Sequence, residues 1–262
     1  FDGCTSLTSV VVEEGNSVYD SREGCNAIIE TATNTLIQGC NSTIIPSSVT
    51  EIGENAFEGC TSLTSVVIPE GVTKIGKYAF YDCTSLTSIV VEEGNSVYDS
   101  REGCNAIIET ATNKLIKGCN STIIPSNVTK IEFGAFHGCT SLTSVVIPEG
   151  VTRIGGRTFD GCTSLTSVVI PKGVTAIGNF AFSGCSSLTS IAIPSSVTAI
   201  GYMTFGYCSS LSSIVIPEGV TEIGGGAFAD CTSLTSVVIP SSVTEIGKDA
   251  FSGCASLTSI IV

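Results

Sequence analysis

Apolar and polar positions along this chain repeat with a fixed phase. In the stretch from Cys60 to Lys77, CTSLTSVVIPEGVTKIGK, the residues Leu63, Val66 and Ile68 follow the spacing L-x-x-L-x-L. Pro69-Glu70-Gly71, then Val72 and Ile75, then Ala79-Phe80 complete the unit. The alternation predicts a short strand at about 64–68 with its large side chains turned inward. Pro-Glu-Gly predicts a turn, and Gly76 a tight corner or a positive φ. The unit recurs: Cys139, Cys162, Cys185, Cys208, Cys231 and Cys254 follow one another every 23 residues, each with Leu three residues on. A fixed period of this length predicts a solenoid, in which a single turn cannot bury both of its faces and stability comes from stacking.

A longer period lies over the first. Residues 1–79 recur almost verbatim as 80–158, and 159–262 are plain 23-residue units. Each 79-residue copy holds one turn of 33 residues. Its additional sequence, NSVYDSREGCNAIIETATNTLIQGC, is strand-like from Cys25 to Glu30 and from Thr35 to Cys40, around a turn at 31–34. That pattern predicts a β-hairpin, repeated at Cys104 to Cys119. The expectation is an all-β-rich repeat solenoid over 1–262, one domain of about eleven turns with a parallel β-sheet and two inserted β-hairpins. With the leading unit starting at its Phe and no polar cap at either end, the chain reads as a segment of a longer protein.

The run C-x-x-L-x-x-V-x-I-P-x-x-V-x-x-I-G-x-x-A-F resembles the BspA-like, or Treponema-type, leucine-rich repeats of bacterial and protozoan surface proteins, and the resemblance covers essentially the whole chain. It implies a right-handed leucine-rich repeat array, secreted or held at the cell surface and used in adhesion or host contact. It implies no particular partner. The departures are Glu132 in place of the corner Gly, Thr158 and Thr204 in place of Ala before Phe, and two inserted turns without the Ala-Phe pair.

Composition narrows the function classes. Hydrophobic residues make up 42% and charged residues 13%, which supplies a core and gives no sign of disorder. A net charge of -13 argues against nucleic acid and anionic membranes as partners, because both reward Lys and Arg. No apolar run is long enough to insert into a membrane, and Phe1-Asp2-Gly3-Cys4 is not a signal peptide. The partner class that remains is a protein or glycan on another cell or matrix, with end-to-end association of arrays also open.

Thirteen cysteines demand an account. Cys4, Cys60, Cys83, Cys139, Cys162, Cys185, Cys208, Cys231 and Cys254 occupy one position of the repeat and would stack as a parallel column, which does not converge on a metal ion. The expected role is a small buried hydrophobe whose S–H meets a backbone carbonyl of the neighbouring turn. The other four fall in the hairpins. If Ile29 faces Leu36 and Ala27 faces Gln38, Cys25 lies opposite Cys40, and likewise Cys104 opposite Cys119. These are candidates for disulfides, which the extracellular setting implied by the resemblance would permit.

Catalysis finds no support, and no cofactor or metal site is expected. The one histidine, His137, falls where other copies carry any polar residue and is expected on an exposed turn; Ser and Thr are abundant but no base accompanies them. Glu13-Glu14 and Glu92-Glu93 point apart on an extended chain, as expected for solvated turns, with weak calcium binding as the alternative. The outward strand face is the candidate binding surface: Ser65/Val67, Ser144/Val146, Ser167/Val169, Ser190/Ala192, Ser213/Val215 and Ser236/Val238 form a ladder of Ser beside a ladder of Val. An apolar stripe of this kind suggests recognition, whereas residues so small equally suit a structural spacer that displays another domain. A second outward column, Glu51, Lys74, Lys130, Arg153, Ala176, Ala199, Glu222, Glu245, grades from basic to acidic and could orient a charged partner.

Overall fold

A computed structural model describes residues 4–262, so that Phe1 of the leading unit lies outside the described residues. Its contacts gather into two compact units. One holds the residues up to Ala111 together with Ile116–Thr122; the other holds Thr112–Leu115 and Ile123–Val262.

The strands, in chain order, are β1 (Tyr19–Asp20), β2 (Ile28–Glu30), β3 (Thr35–Gln38), β4 (Glu51–Ile52), β5 (Ser65–Ile68), β6 (Lys74–Ile75), β7 (Ser88–Val91), β8 (Tyr98–Asp99), β9 (Ala106–Glu109) and β10 (Lys114–Gly118). They continue as β11 (Lys130–Ile131), β12 (Ser144–Val146), β13 (Arg153–Ile154), β14 (Ser167–Val169), β15 (Ala176–Ile177), β16 (Ala199–Ile200), β17 (Glu222–Ile223), β18 (Ser236–Val238), β19 (Glu245–Ile246) and β20 (Ser259–Ile261). Each plain turn contributes to two parallel columns. The V-x-I strand pairs with its copy, as β5 with β7 and β12 with β14. The two-residue strand before the corner does the same in the run β13-β15-β16-β17-β19. Among the described residues, helix is confined to two single 3-10 turns, Arg22–Gly24 and Arg101–Gly103, within the inserted sequence. About nine turns close, against the eleven expected, because part of each inserted segment runs antiparallel instead of around the coil.

The inserted hairpin forms where expected, with 31–34 as its turn, and two features differ. First, the hairpin is not an isolated two-stranded insertion: β3 pairs parallel with β4 (Thr35↔Glu51, Leu36↔Ile52), so it widens the sheet as β1-β2-β3-β4-β6. Ile29 and Leu36 are fully buried, which holds it down. Second, the register shifts between Ile28 and Ile29: Ile29 faces Leu36, but Gln38 faces Ile28 and not Ala27.

The cores are stacks of like on like. In the second unit Phe136, Phe159, Phe182, Phe205, Phe228 and Phe251 form one column, with neighbouring centroids 5.2–5.6 Å apart and planes within 18°. In the first unit Phe57 stacks on Phe80 at 5.1 Å. The column ends on Gly39, where a Cβ would lie 2.3 Å from the Phe57 ring, which explains why the inserted turn lacks Ala-Phe there. Thr158 and Thr204, which replace Ala, are buried with their hydroxyls donating to Gly155 O and Gly201 O.

The corner glycines are needed for a different reason from the one expected. Gly76, Gly178, Gly224 and Gly247 have no positive φ; a Cβ on them would lie 2.3–2.6 Å from the backbone of the preceding turn. Close approach is the constraint. The left-handed conformation falls two residues later, at Asn55, Tyr78, Gly134, Arg157, Phe180, Met203, Gly226 and Asp249. Glu132 therefore carries no left-handed strain, and its carboxylate pairs with Lys114.

Two stability predictions follow from these corners. Gly178→Ala is expected to cost about 1–3 kcal/mol by forcing adjacent turns apart, while Gly173→Ala, whose nearest neighbour would be 3.6 Å away, is expected to be neutral or slightly stabilising. Glu132→Gly is expected to lose about 1 kcal/mol, through the ion pair and added unfolded-state freedom. Denaturant midpoints of the three variants check both; a stabilised Glu132→Gly would restore the strained-corner reading.

Candidate functional site

The outward face forms as the alternation requires. Ser65, Ser144, Ser167, Ser190, Ser213 and Ser236 are exposed, and so are Val67, Val146, Val169, Ala192, Val215 and Val238. The five valines are 47–79% accessible, whereas their inward neighbours Val66, Val145 and Val237 are at most 5% accessible. Register makes columns of them: Val67↔Val90 in the first unit, and Ser144↔Ser167, Val146↔Val169 and Ala192↔Val215 in the second. In the graded column beside them, Glu51 and Lys74 form an ion pair at 2.8 Å, while Glu222 and Glu245 stack in register as like charges.

The cysteine column has the chemistry expected of it. The Sγ of Cys83, Cys162, Cys185, Cys208, Cys231 and Cys254 each donates to the carbonyl of the Phe in the preceding turn, at 3.1–3.2 Å. Burial pushes the thiols of Cys83 and Cys231 up to about 12 and that of Cys60 up to about 11. Thiols this reluctant to ionise are poor nucleophiles.

A role for Ser and Thr went unread in the sequence. Thr87 donates to Thr64 O and Thr73 to Thr50 O in the first unit. Thr166 donates to Thr143 O and Thr221 to Thr198 O in the second. These hydroxyls each reach a carbonyl 23 residues earlier and brace the exposed side of the coil; the 23-residue spacing was the available signal.

The remaining candidates are relocated. Cys25 and Cys40 are buried free thiols that address different carbonyls, Ala27 O at 3.9 Å and Asn26 O at 3.3 Å. Cys104 and Cys119 repeat this with Ala106 O and Asn105 O. The shifted register removes the direct opposition on which a bridge depended. His137 is not on an exposed turn: its side chain is 15% accessible and its Nε2 lies 3.7 Å from Asp160, which also holds Arg157. Glu92 accepts a hydrogen bond from the backbone N–H of Glu70 beside an open cleft of about 530 Å³ that also includes Ser47, Thr73 and Ser96. No group of three or more metal-ligating side chains occurs among the described residues.

A family model for the BspA type leucine rich repeat region matches residues 29–104 and 107–224 in six copies. The chain belongs to this family. Among solved structures, this BspA-type chain is similar to a leucine rich cell surface protein from Faecalibacterium prausnitzii, with 35% identity over 84% of this chain and a TM-score of 0.61. It spans 54% of that protein's length. It is similar to the Treponema pallidum leucine rich repeat protein, with 35% identity over 59% of this chain and 77% of that one, TM-score 0.55. A leucine-rich repeat protein from Bacteroides ovatus is matched at 26% identity over 97% of this chain and 70% of that one, TM-score 0.59. No curated protein matches the chain. Among the described residues no helix is long and apolar enough to cross a membrane.

Alkylation of the native protein at mildly alkaline pH is expected to be fast at exposed Cys4, slow at Cys83, Cys185 and Cys231, and complete only on unfolding. Unreduced protein mapped by mass spectrometry is expected to show Cys25, Cys40, Cys104 and Cys119 as thiols; a fragment linking Cys25 to Cys40 would reinstate the bridge. The raised thiols also set a pH dependence. An unfolded Cys loses its proton near 9.0 while folded Cys83 and Cys231 keep theirs to about 12, so stability is expected to be flat below the first value and to fall as pH rises between the two. Denaturant midpoints across that window check the sign.

Proposed function

We propose that this BspA-type repeat region is a non-enzymatic binding module of a secreted or surface protein, engaging a protein or glycan through an exposed face of its coil. The observation that carries the reading is the apolar column Val146, Val169, Ala192, Val215, kept exposed in register where polar residues would serve the fold equally well. The cell-surface description of the Faecalibacterium relative supports the compartment. The hairpins do not add to this face, because they join the sheet of the two-residue strands and not the sheet that carries the valines. A second reading, a structural spacer, draws on the hydroxyl and thiol bonds that lock each turn to the next and would stiffen a display arm.

A panel of immobilised matrix proteins and defined glycans, screened by surface plasmon resonance, separates the two. A binding module is expected to give at least one saturable partner, lost or weakened about tenfold or more by Val169→Lys with Val215→Lys at unchanged melting temperature. A chain that binds nothing, or whose binding ignores every exposed face, is a spacer.

A further inference from the structure

Near-identical turns show by their differences which positions the coil leaves free. Across the copies C-T-S-L-T-S-V-V-I-P hardly changes, while the residues around Ala/Thr-Phe read ENAFEG, KYAFYD, FGAFHG, GRTFDG, NFAFSG, YMTFGY, GGAFAD and KDAFSG. In the second unit these free positions collect large side chains on one flank. Phe133, Tyr202 and Tyr207 are 39%, 52% and 54% accessible. The Arg157 guanidinium lies over the Phe180 ring at 4.2 Å, and Phe180 meets the edge of Tyr202 at 5.2 Å. Phe133 rests on Gly156 and Tyr202 on Gly225, each ring filling the place of a missing side chain one turn on.

Drift on a solvated turn does not account for this set. Arg157, Phe180 and Met203 hold φ of 54°, 58° and 52°, a left-handed conformation that the same column fills with Gly134 and Gly226 at no steric cost. Bulky residues kept in such a conformation, only partly buried, are strain of the kind that persists where something binds. Tyr, Phe, Arg and Met are also the residue types enriched at the cores of protein interfaces. Sugar stacking needs open ring faces, and one face of Phe180 is taken by Arg157.

Charge says how a partner would lie. Three or four residues before Phe133, Arg157, Phe180, Tyr202 and Met203 runs the column Lys130, Arg153, Ala176, Ala199, continued by Glu222 and Glu245 in the next two turns; its charged members are exposed and its alanines half-buried. The Phe133 end of the flank therefore has two cations beside it, and two carboxylates lie in the two turns that follow Tyr202.

We infer that the flank of the second unit centred on Phe133, Arg157, Phe180, Tyr202, Met203 and Tyr207 is a docking site for an extended protein segment. That segment is apolar in the middle, acidic at the end that meets Lys130 and Arg153, and basic at the end that meets Glu222 and Glu245. The inference rests on the binding-module reading and adds to the valine face a second contact surface, on this flank.

The test is selection of a phage-displayed library of random dodecapeptides on the whole chain. Recovered peptides are expected to carry aromatic or aliphatic residues with acidic and basic residues at opposite ends. Their binding is expected to fall at least tenfold with Tyr202→Ser and Tyr207→Ser. Phe180→Gly and Met203→Gly are expected to weaken binding while leaving the melting temperature equal or higher, a combination that a merely structural role would not give. Peptides indifferent to these changes but lost on Val169→Lys with Val215→Lys overturn the flank and leave the binding module standing. No enrichment, or binding of defined glycans instead of peptides, overturns the protein-segment docking site.

Discussion

At most corners, Gly76, Gly178, Gly224 and Gly247 among them, the backbones of successive turns approach so closely that a Cβ has no room, and the rest of the coil is built around that distance. At Gly178 a Cβ would sit 2.6 Å from Gly156 N, and at Gly247 2.3 Å from Gly225 N. Once turns are set at the spacing of a parallel sheet, about 4.8 Å, every position of one turn lies over the same position of the last. Side chains that gain from meeting their own kind are therefore favoured. Phe stacks on Phe with planes nearly parallel, column cysteines such as Cys185 reach the carbonyl of the Phe in the preceding turn, and hydroxyls such as that of Thr166 reach the matching Thr carbonyl.

The same register penalises like charges, and the charged positions show how the chain manages this. Glu51 lies over Lys74 and forms an ion pair, whereas Ala176 and Ala199 separate the cationic end of their column from the stacked pair Glu222 and Glu245. At a solvated surface such stacking is tolerated. The cysteines solve a related problem. A buried position needs a small apolar residue that can still satisfy a carbonyl, and a thiol held neutral by burial does both. The price of the left-handed residue two positions past the corner falls on whichever side chain stands there, so Gly134 and Asp249 occupy it easily while Phe180 and Met203 do not.

Insertions are absorbed by the sheet rather than expelled from it. Ten additional residues could form a projecting loop, but Ile29 of β2 and Leu36 of β3 are apolar and face the core, and burying them lays the hairpin flat beside β4. Within the hairpin the register shifts next to Ile28, while β3 pairs parallel with β4 through its other edge.

Period, strand positions, inward and outward faces and the thiol column were legible in the sequence, because each depends only on repetition and on alternation within one turn. Leu63, Val66 and Ile68 announce the buried face in any copy, and Ser65 and Val67 the exposed one. What depended on distances between turns was not legible. Whether Gly76 bends the chain or admits a neighbour, and that His137 sits beside Asp160, were decided by how one turn lies on the next, and whether Cys25 faces Cys40 by the register of β2 on β3. The flank of Phe133, Phe180 and Tyr202 belongs with these: its members are scattered through variable positions of separate copies, and only stacking, which turns a spacing of 23 residues into direct contact, brings them onto one surface.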